Sequence, residues 1–128
     1  MKEIMMDVNW LAVIVGAVAA FLAGWLWYSP MLFGKTWAAG NGVEMGTAQS
    51  MPVGAMATQA IALLLISWFV GVMAVESRLM TFILAAIAFG MLNLSGGLFA
   101  KKPGAVVAID FGYLIVASVV MFIAQAIF

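Results

Sequence analysis

Residues 9–28 of the chain read NWLAVIVGAVAAFLAGWLWY. No charged residue stands between Asp7 and Lys35, so the run is long and apolar enough to cross a bilayer, which takes about 20 residues. Trp10 and Trp27 lie near its two ends, about 25 Å apart on a helix, and tryptophan is enriched at membrane–water interfaces. These features predict a transmembrane helix over residues 9–28.

Three further apolar runs follow, for which we predict spans over residues 52–75, 79–99 and 105–127. The polar turns between them, Glu76–Arg78 and Lys101–Gly104, are so short that consecutive helices must run antiparallel. The sequence therefore predicts an all-α polytopic membrane protein, with four transmembrane helices in an antiparallel bundle. We expect one transmembrane domain over residues 1–128, with both termini on the same side and an interfacial segment at the start of the loop 29–51.

The composition favours lipid as the surroundings of this chain. Apolar residues make up 67% and charged residues 8%, whereas soluble proteins average about 45–50% and 25%. The formal net charge is zero, which argues against a nucleic-acid partner. Cysteine and histidine are absent, which excludes thiolate nucleophiles and most zinc, haem and copper sites. We expect no cofactor and no metal, and the basic residues are divided too evenly between the two sides to set the orientation.

The first span carries a small residue at every fourth position: Ala12, Gly16, Ala20 and Gly24. Helices in lipid associate through close packing of small residues, because acyl chains provide no hydrophobic drive for association. We interpret this small-residue stripe as a contact between helices of one subunit. A homodimer seam is the alternative interpretation.

Asp110 is the only charged side chain within a predicted span, and a carboxylate at the centre of a transmembrane helix costs about 2.5–3.5 kcal/mol. Asn93 lies as far before the midpoint between Lys101 and Lys102 as Asp110 lies after it, so the two residues should share one height in the hairpin. We predict an Asn93–Asp110 hydrogen bond, with Ser95 and Tyr113 nearby. This candidate site is either a polar clasp between the third and fourth spans or a proton- or cation-binding carboxylate.

An interfacial aromatic cluster is expected where the first span ends. It comprises Trp25, Trp27, Tyr28, Phe33 and Trp37. An aromatic belt at the membrane interface is the usual role of such residues. A site for a lipid, quinone or pigment is the alternative, because planar groups stack on these rings.

Two stretches at a fixed offset indicate a duplicated two-helix hairpin. Residues 29–35 read SPMLFGK and residues 95–101 read SGGLFAK, and the same offset pairs Gly24 with Gly90. Parallel halves would then be related by an axis along the membrane normal. Chance matches in a chain rich in Ala, Gly and Leu are the alternative explanation.

Several motifs carry a resemblance to a known family. They are Asn9-Trp10-Leu11-Ala12, Trp27-Tyr28-Ser29-Pro30, Leu32-Phe33-Gly34-Lys35, Trp37, Leu98-Phe99, and Ile109 through Gly112-Tyr113. In these motifs the chain resembles the small bacterial membrane family known as domain of unknown function 1761. The resemblance implies a four-helix protein of the bacterial inner membrane without an assigned activity. In that family pattern Asn is commoner at the position of Asp110, and His often follows the Gly-Tyr pair, where this chain has Leu114.

Three functional classes fit the sequence. We favour an accessory or structural helical subunit, not an enzyme, that packs against itself or a larger membrane complex. Its partners would be membrane lipids and other transmembrane helices. The first alternative is a small homo-oligomeric channel or transporter that uses Asp110 and Asn93. The second is a membrane enzyme that acts on a lipid or quinone.

Overall fold

The computed structural model describes residues 2–29, 31–42 and 53–128, and these contain six helices and no strand. The helices are α1 (Lys2–Met5), α2 (Trp10–Trp27), α3 (Gly34–Asn41), α4 (Val53–Val75), α5 (Leu79–Phe99) and α6 (Gly104–Ile127). Four of them, α2, α4, α5 and α6, are long and apolar enough to span a membrane, with mean hydropathies of 1.9 to 2.4. The predicted all-α class with four spans is confirmed.

The observed helix ends lie close to the predicted ones, within one residue wherever both can be compared. The short helix α1 was not predicted, and the interfacial segment contains the two-turn helix α3. From the sequence we expect Pro30 to end the first span, because proline disfavours helical backbone at the residue before it, and Ser50 to cap a second span that begins at Pro52. These three residues lie outside the described residues. Residues 43–51 of the predicted loop lie outside them too.

The connections after α4 and α5 share one backbone geometry. Ser77 has a φ of 55° and Lys101 a φ of 60°, both in the left-handed region. In each case the next residue donates its backbone N–H five residues back, from Arg78 to Met73 and from Lys102 to Gly97. This is the Schellman motif, which satisfies the last carbonyls of a helix and turns the chain sharply. The hairpins α4–α5 and α5–α6 are closed by it.

Helix α2 packs against both α4 and α6. All four residues of the small-residue stripe are buried there: Ala12, Gly16, Ala20 and Gly24. A Cβ added at Gly16 would lie 2.9 Å from Ser67 Oγ on α4, and one at Gly24 would lie 2.7 Å from Tyr113 Oη on α6. The stripe therefore lets two neighbouring helices of the same chain approach the α2 backbone closely.

Two hydroxyl groups use this close approach to hydrogen-bond carbonyls of α2. Ser67 Oγ donates to the carbonyl of Val13 at 2.7 Å, and Tyr113 Oη donates to the carbonyl of Ala20 at 2.8 Å. Hydrogen bonds of this kind join helices where hydrocarbon can offer no polar partner. They fix the register of α4 and α6 along α2.

Helix α5 is the least enclosed of the four spans. Only Phe82 and Gly90 of its residues are buried. The Phe82 ring lies 5.3 Å from that of Phe122 on α6, and Gly90 faces Phe111 on the same helix. Helix α4 also has no buried residue before Leu63. The α4 and α5 ends remote from their shared turn thus lack the enclosed packing of α2 and α6.

The duplicated hairpin remains a prediction. Its fixed offset pairs Gly24 with Gly90, and both glycines lie against α6. It also pairs Phe33 with Phe99, of which the first packs against the Trp27 ring at a tilt and the second is 86% exposed. Thus one pair lies in matching surroundings and the other does not.

Candidate functional site

The short helix α3 lies over the beginning of α6, where it forms one wall of the site. Gly40 permits this contact, because a Cβ at this position would clash with Val106 Cγ2. Ala38 and Val106 are both buried. This docking carries Trp37 from the interfacial segment to the first two turns of the last span.

Asp110 is the centre of the site, and one of its oxygens accepts two hydrogen bonds. Tyr28 Oη donates to Asp110 Oδ1 at 2.6 Å, and Trp37 Nε1 donates to the same oxygen at 3.0 Å. Tyr28 is the residue after α2, Trp37 lies on α3 and Asp110 lies on α6. The carboxylate therefore ties three elements together. Bonds to an ionised acceptor are shorter and stronger than neutral ones.

A third aromatic donor strengthens the same junction one residue away. Trp27 Nε1 donates to the backbone carbonyl of Ile109 at 2.9 Å. Gly112 leaves room for the indole, because a Cβ there would lie 2.9 Å from Trp27 Cζ2. The end of α2 is thus held to α6 by both Trp27 and Tyr28.

Tyr28 is partly buried beside Asp110 and directs its phenol hydroxyl to the carboxylate.

The predicted Asn93–Asp110 hydrogen bond is wrong. Asp110 bonds Tyr28 and Trp37 instead, and Asn93 is exposed. Counting from the turn gives equal heights, but each residue also turns the side chain by about 100° around the helix. At this end of the hairpin, Val107 and Phe111 are the α6 residues opposite Gly97 and Gly90 of α5, whereas Asp110 faces the end of α2 and α3. The clasp joins the first and fourth spans, not the third and fourth.

The other two predicted site residues also lie apart from the carboxylate's hydrogen bonds. Tyr113 directs its hydroxyl to the carbonyl of Ala20, although its ring meets Tyr28 edge-on with centroids 5.6 Å apart. Ser95 lies in a shallow groove of about 410 Å³ on the outer side of α5, beside Leu98 and Phe99.

The aromatic cluster divides into inward and outward members. Trp27 packs against Phe33 with ring centroids 4.5 Å apart, and Tyr28 meets Trp37 edge-on at 5.5 Å. Trp25 is 66% exposed and points away from the bundle. Four of the five rings therefore surround the Asp110 junction, and only Trp25 retains the position of a belt residue.

Two properties bear on the chemistry open to this site. The residues that the structure describes contain no group of three or more His, Cys, Asp and Glu side chains placed to hold a metal ion. A groove of about 600 Å³ lies at the other end of the bundle, between α1 and α4, and is lined by Glu3, Trp68 and Arg78 among others. Asp110 lines neither this groove nor the one beside Ser95. The arrangement around Asp110 is an acceptor satisfied by neighbouring donors.

Sequence reasoning found Asp110 and the aromatic cluster but did not connect them. The available signal was topological: the first span ends and the fourth begins on the same side of an antiparallel bundle. Tyr28 and Trp37 are therefore at the depth of Asp110, and both carry a hydrogen-bond donor that a lipid-facing ring would leave without a protein partner.

Four apolar membrane-spanning helices, together with an intramembrane carboxylate held by aromatic donors, define a multi-pass helical membrane protein. The chain belongs to the family described as protein of unknown function DUF1761, whose model matches residues 11–125. The resemblance inferred from the motifs is thereby confirmed. No curated protein and no solved structure matches the chain.

Proposed function

We propose that this protein is a non-catalytic helical subunit of a membrane assembly, in which Asp110 serves as a structural clasp. The observation that carries the proposal is the pair of bonds from Tyr28 and Trp37 to one oxygen of Asp110. A charge placed within a span is costly, and its retention needs either a function or a set of donors. Here Tyr28 and Trp37, from separate elements, are the donors that account for the retained carboxylate.

Support for the assembly role comes from the faces of α4 and α5. Both helices present large apolar side chains outward along most of their length, including Leu65, Leu84 and Leu92. Lipid covers such surfaces as well as protein does, but they also give a partner helix a broad contact. The channel or transporter alternative is less well supported, because its two polar residues, Asn93 and Asp110, face different directions.

We further propose that the protein resides in a bacterial inner membrane with both termini on one side. The even number of spans supports the second statement, since each antiparallel crossing reverses the direction of the chain. The family resemblance supports the first. Neither proposal depends on the role assigned to Asp110.

The clasp and the conducting carboxylate make opposite predictions for Asp110→Asn. The amide oxygen still accepts hydrogen bonds from Tyr28 and Trp37, so this variant preserves much of the clasp while removing the titratable charge. We would reconstitute wild-type protein and the variant in vesicles and measure proton and potassium flux under an imposed gradient, with an ionophore as positive control. Matched, background-level flux is expected. Flux in the wild type that the variant abolishes would overturn the proposal.

A further inference from the structure

On one face of α5, the rest of the bundle covers residues in the first half of the helix but not in the second. Phe89, Asn93 and Gly96 of α5 and Ala100, the residue after it, are spaced by four, three and four residues, and we call this set the α5 seam. The seam continues the positions of Phe82, which is buried, and Ala86, which is partly buried. Alternating spacings of three and four place residues on one line along two helices that supercoil together.

All four residues of the α5 seam are exposed. Phe89 alone has 68% of its surface accessible. The neighbouring part of α4 encloses nothing, since no described residue of α4 before Leu63 is buried. A second helix therefore has lateral access to the seam.

Asn93 is the residue that lipid cannot accommodate well. It lies six residues before the end of α5, about 9 Å inside a helix that is itself about 30 Å long. This depth is within the hydrocarbon, where an amide finds no hydrogen-bond partner among acyl chains. An exposed amide at this depth favours a polar partner on a neighbouring helix.

The charge, the polar group and the open space of the α5 seam indicate which kind of partner helix fits it. No charge lies on α5 between Arg78 and Lys101, so a charged partner has no counterpart there. The amide of Asn93 both donates and accepts, and a second copy of the same amide complements it. A Cβ added at Gly96 would meet nothing within 4 Å, so another backbone can approach at this point.

We infer that the α5 seam binds the α5 seam of a second copy of this chain, in a twofold homodimer whose axis runs along the membrane normal. Copies inserted in the same orientation have parallel α5 helices, so each seam residue meets its own equivalent. A single Asn in such a line fixes register and oligomeric state in coiled coils. The inference rests on the proposed function, because it names the partner of the subunit.

The chain has no cysteine, so single cysteines report this contact without a background. We would introduce Gly96→Cys and Ala100→Cys in the full chain and oxidise native membranes. Leu98→Cys is the matched control, since Leu98 lies between the two seam positions in depth and is exposed on the opposite side of α5. Met91→Cys, on the same opposite side and about two turns deeper than Leu98, is a second control. Disulfide-linked dimers are expected at the two seam positions and not at the controls. Equal linking at all four positions, or none at the seam, would overturn the α5 seam as the interface.

The role of Asn93 has its own test in the same membranes. Asn93→Leu is expected to raise the dissociation constant of the dimer about 3- to 30-fold, whereas Asn93→Gln, which keeps an amide, retains more of the affinity. Unchanged affinity in Asn93→Leu would overturn the amide contact.

Failure of this inference is distinguishable from failure of the proposed function. A seam cysteine linked by a bifunctional reagent to a different membrane protein would overturn the second copy as partner and leave the subunit role standing. A chain that remains monomeric and unlinked throughout would overturn both.

Discussion

Asp110 illustrates how a costly residue is retained in an apolar helix. A hydrogen bond to a charged group contributes about 1.5–3 kcal/mol, which is comparable to the cost of about 2.5–3.5 kcal/mol for placing the carboxylate at the centre of a span. Asp110 lies in the second turn of α6, nearer the interface than the centre, and is only partly buried. The two bonds from Tyr28 and Trp37 are therefore sufficient to offset its insertion.

A double-mutant cycle measures how much the hydrogen bond between Tyr28 and Asp110 contributes to the free energy of unfolding. Asp110→Ala and Tyr28→Phe should each lower the free energy of unfolding by about 1–3 kcal/mol, since each leaves the other group without its partner. Because both substitutions remove the same hydrogen bond, the loss of unfolding free energy in the double variant should be smaller than the sum of the two single losses by about 0.5–3 kcal/mol. Thermal or denaturant unfolding in one detergent checks this.

The control for this cycle is Trp25→Phe, at an outward-facing ring of the same aromatic cluster. Its effect should add to that of Asp110→Ala, because Trp25 is exposed and points away from the junction. Simple additivity of the Asp110 and Tyr28 effects would mean that the observed bond contributes nothing to stability.

At the scale of the helix, close packing on α2 depends on residues without side chains. Gly24 meets the Tyr113 ring, and the hydroxyl of that ring is held by the carbonyl of Ala20. An aromatic group fixed at both its ring and its hydroxyl cannot move aside at low cost. Two adjacent turns of α2 thus restrict the position of the Tyr113 side chain.

Gly24→Ala should destabilise the bundle by about 1–3 kcal/mol, because its Cβ would lie 2.7 Å from Tyr113 Oη. Gly54→Ala is the matched control in α4, where a Cβ meets nothing within 4 Å and alanine is the better helix former. Unfolding followed by circular dichroism should show a lower midpoint for the first variant only. Equal midpoints would contradict the close contact between α2 and α6.

The helices themselves were predictable, because long apolar runs interrupted by short polar turns leave few choices for where a span begins and ends. The Glu76–Arg78 and Lys101–Gly104 turns gave two hairpins to within a residue. The direction in which Asp110 faces was not predictable in the same way. It depends on the rotation of α6 about its axis, which is set by Gly40, Gly24 and Gly97 in three different helices.

The proposed topology places the polar ends of the four spans on two opposite sides of the membrane. Single cysteines at Glu76 and Phe128 should react with a membrane-impermeant maleimide from one side, and a cysteine at Lys102 from the other. The wild-type chain has no cysteine and serves as the unlabelled control. Labelling of Glu76→Cys and Lys102→Cys from the same side would contradict four crossings.

We propose that this chain acts as a subunit of an assembly and not alone. Native mass spectrometry after gentle extraction from the source membrane tests it most directly, because it reports stoichiometry and foreign subunits together. We predict a defined assembly, at twice the mass of the chain if the α5 seam is the contact. A monomer without any partner, observed under conditions that preserve a known membrane complex from the same extract, would contradict the subunit role.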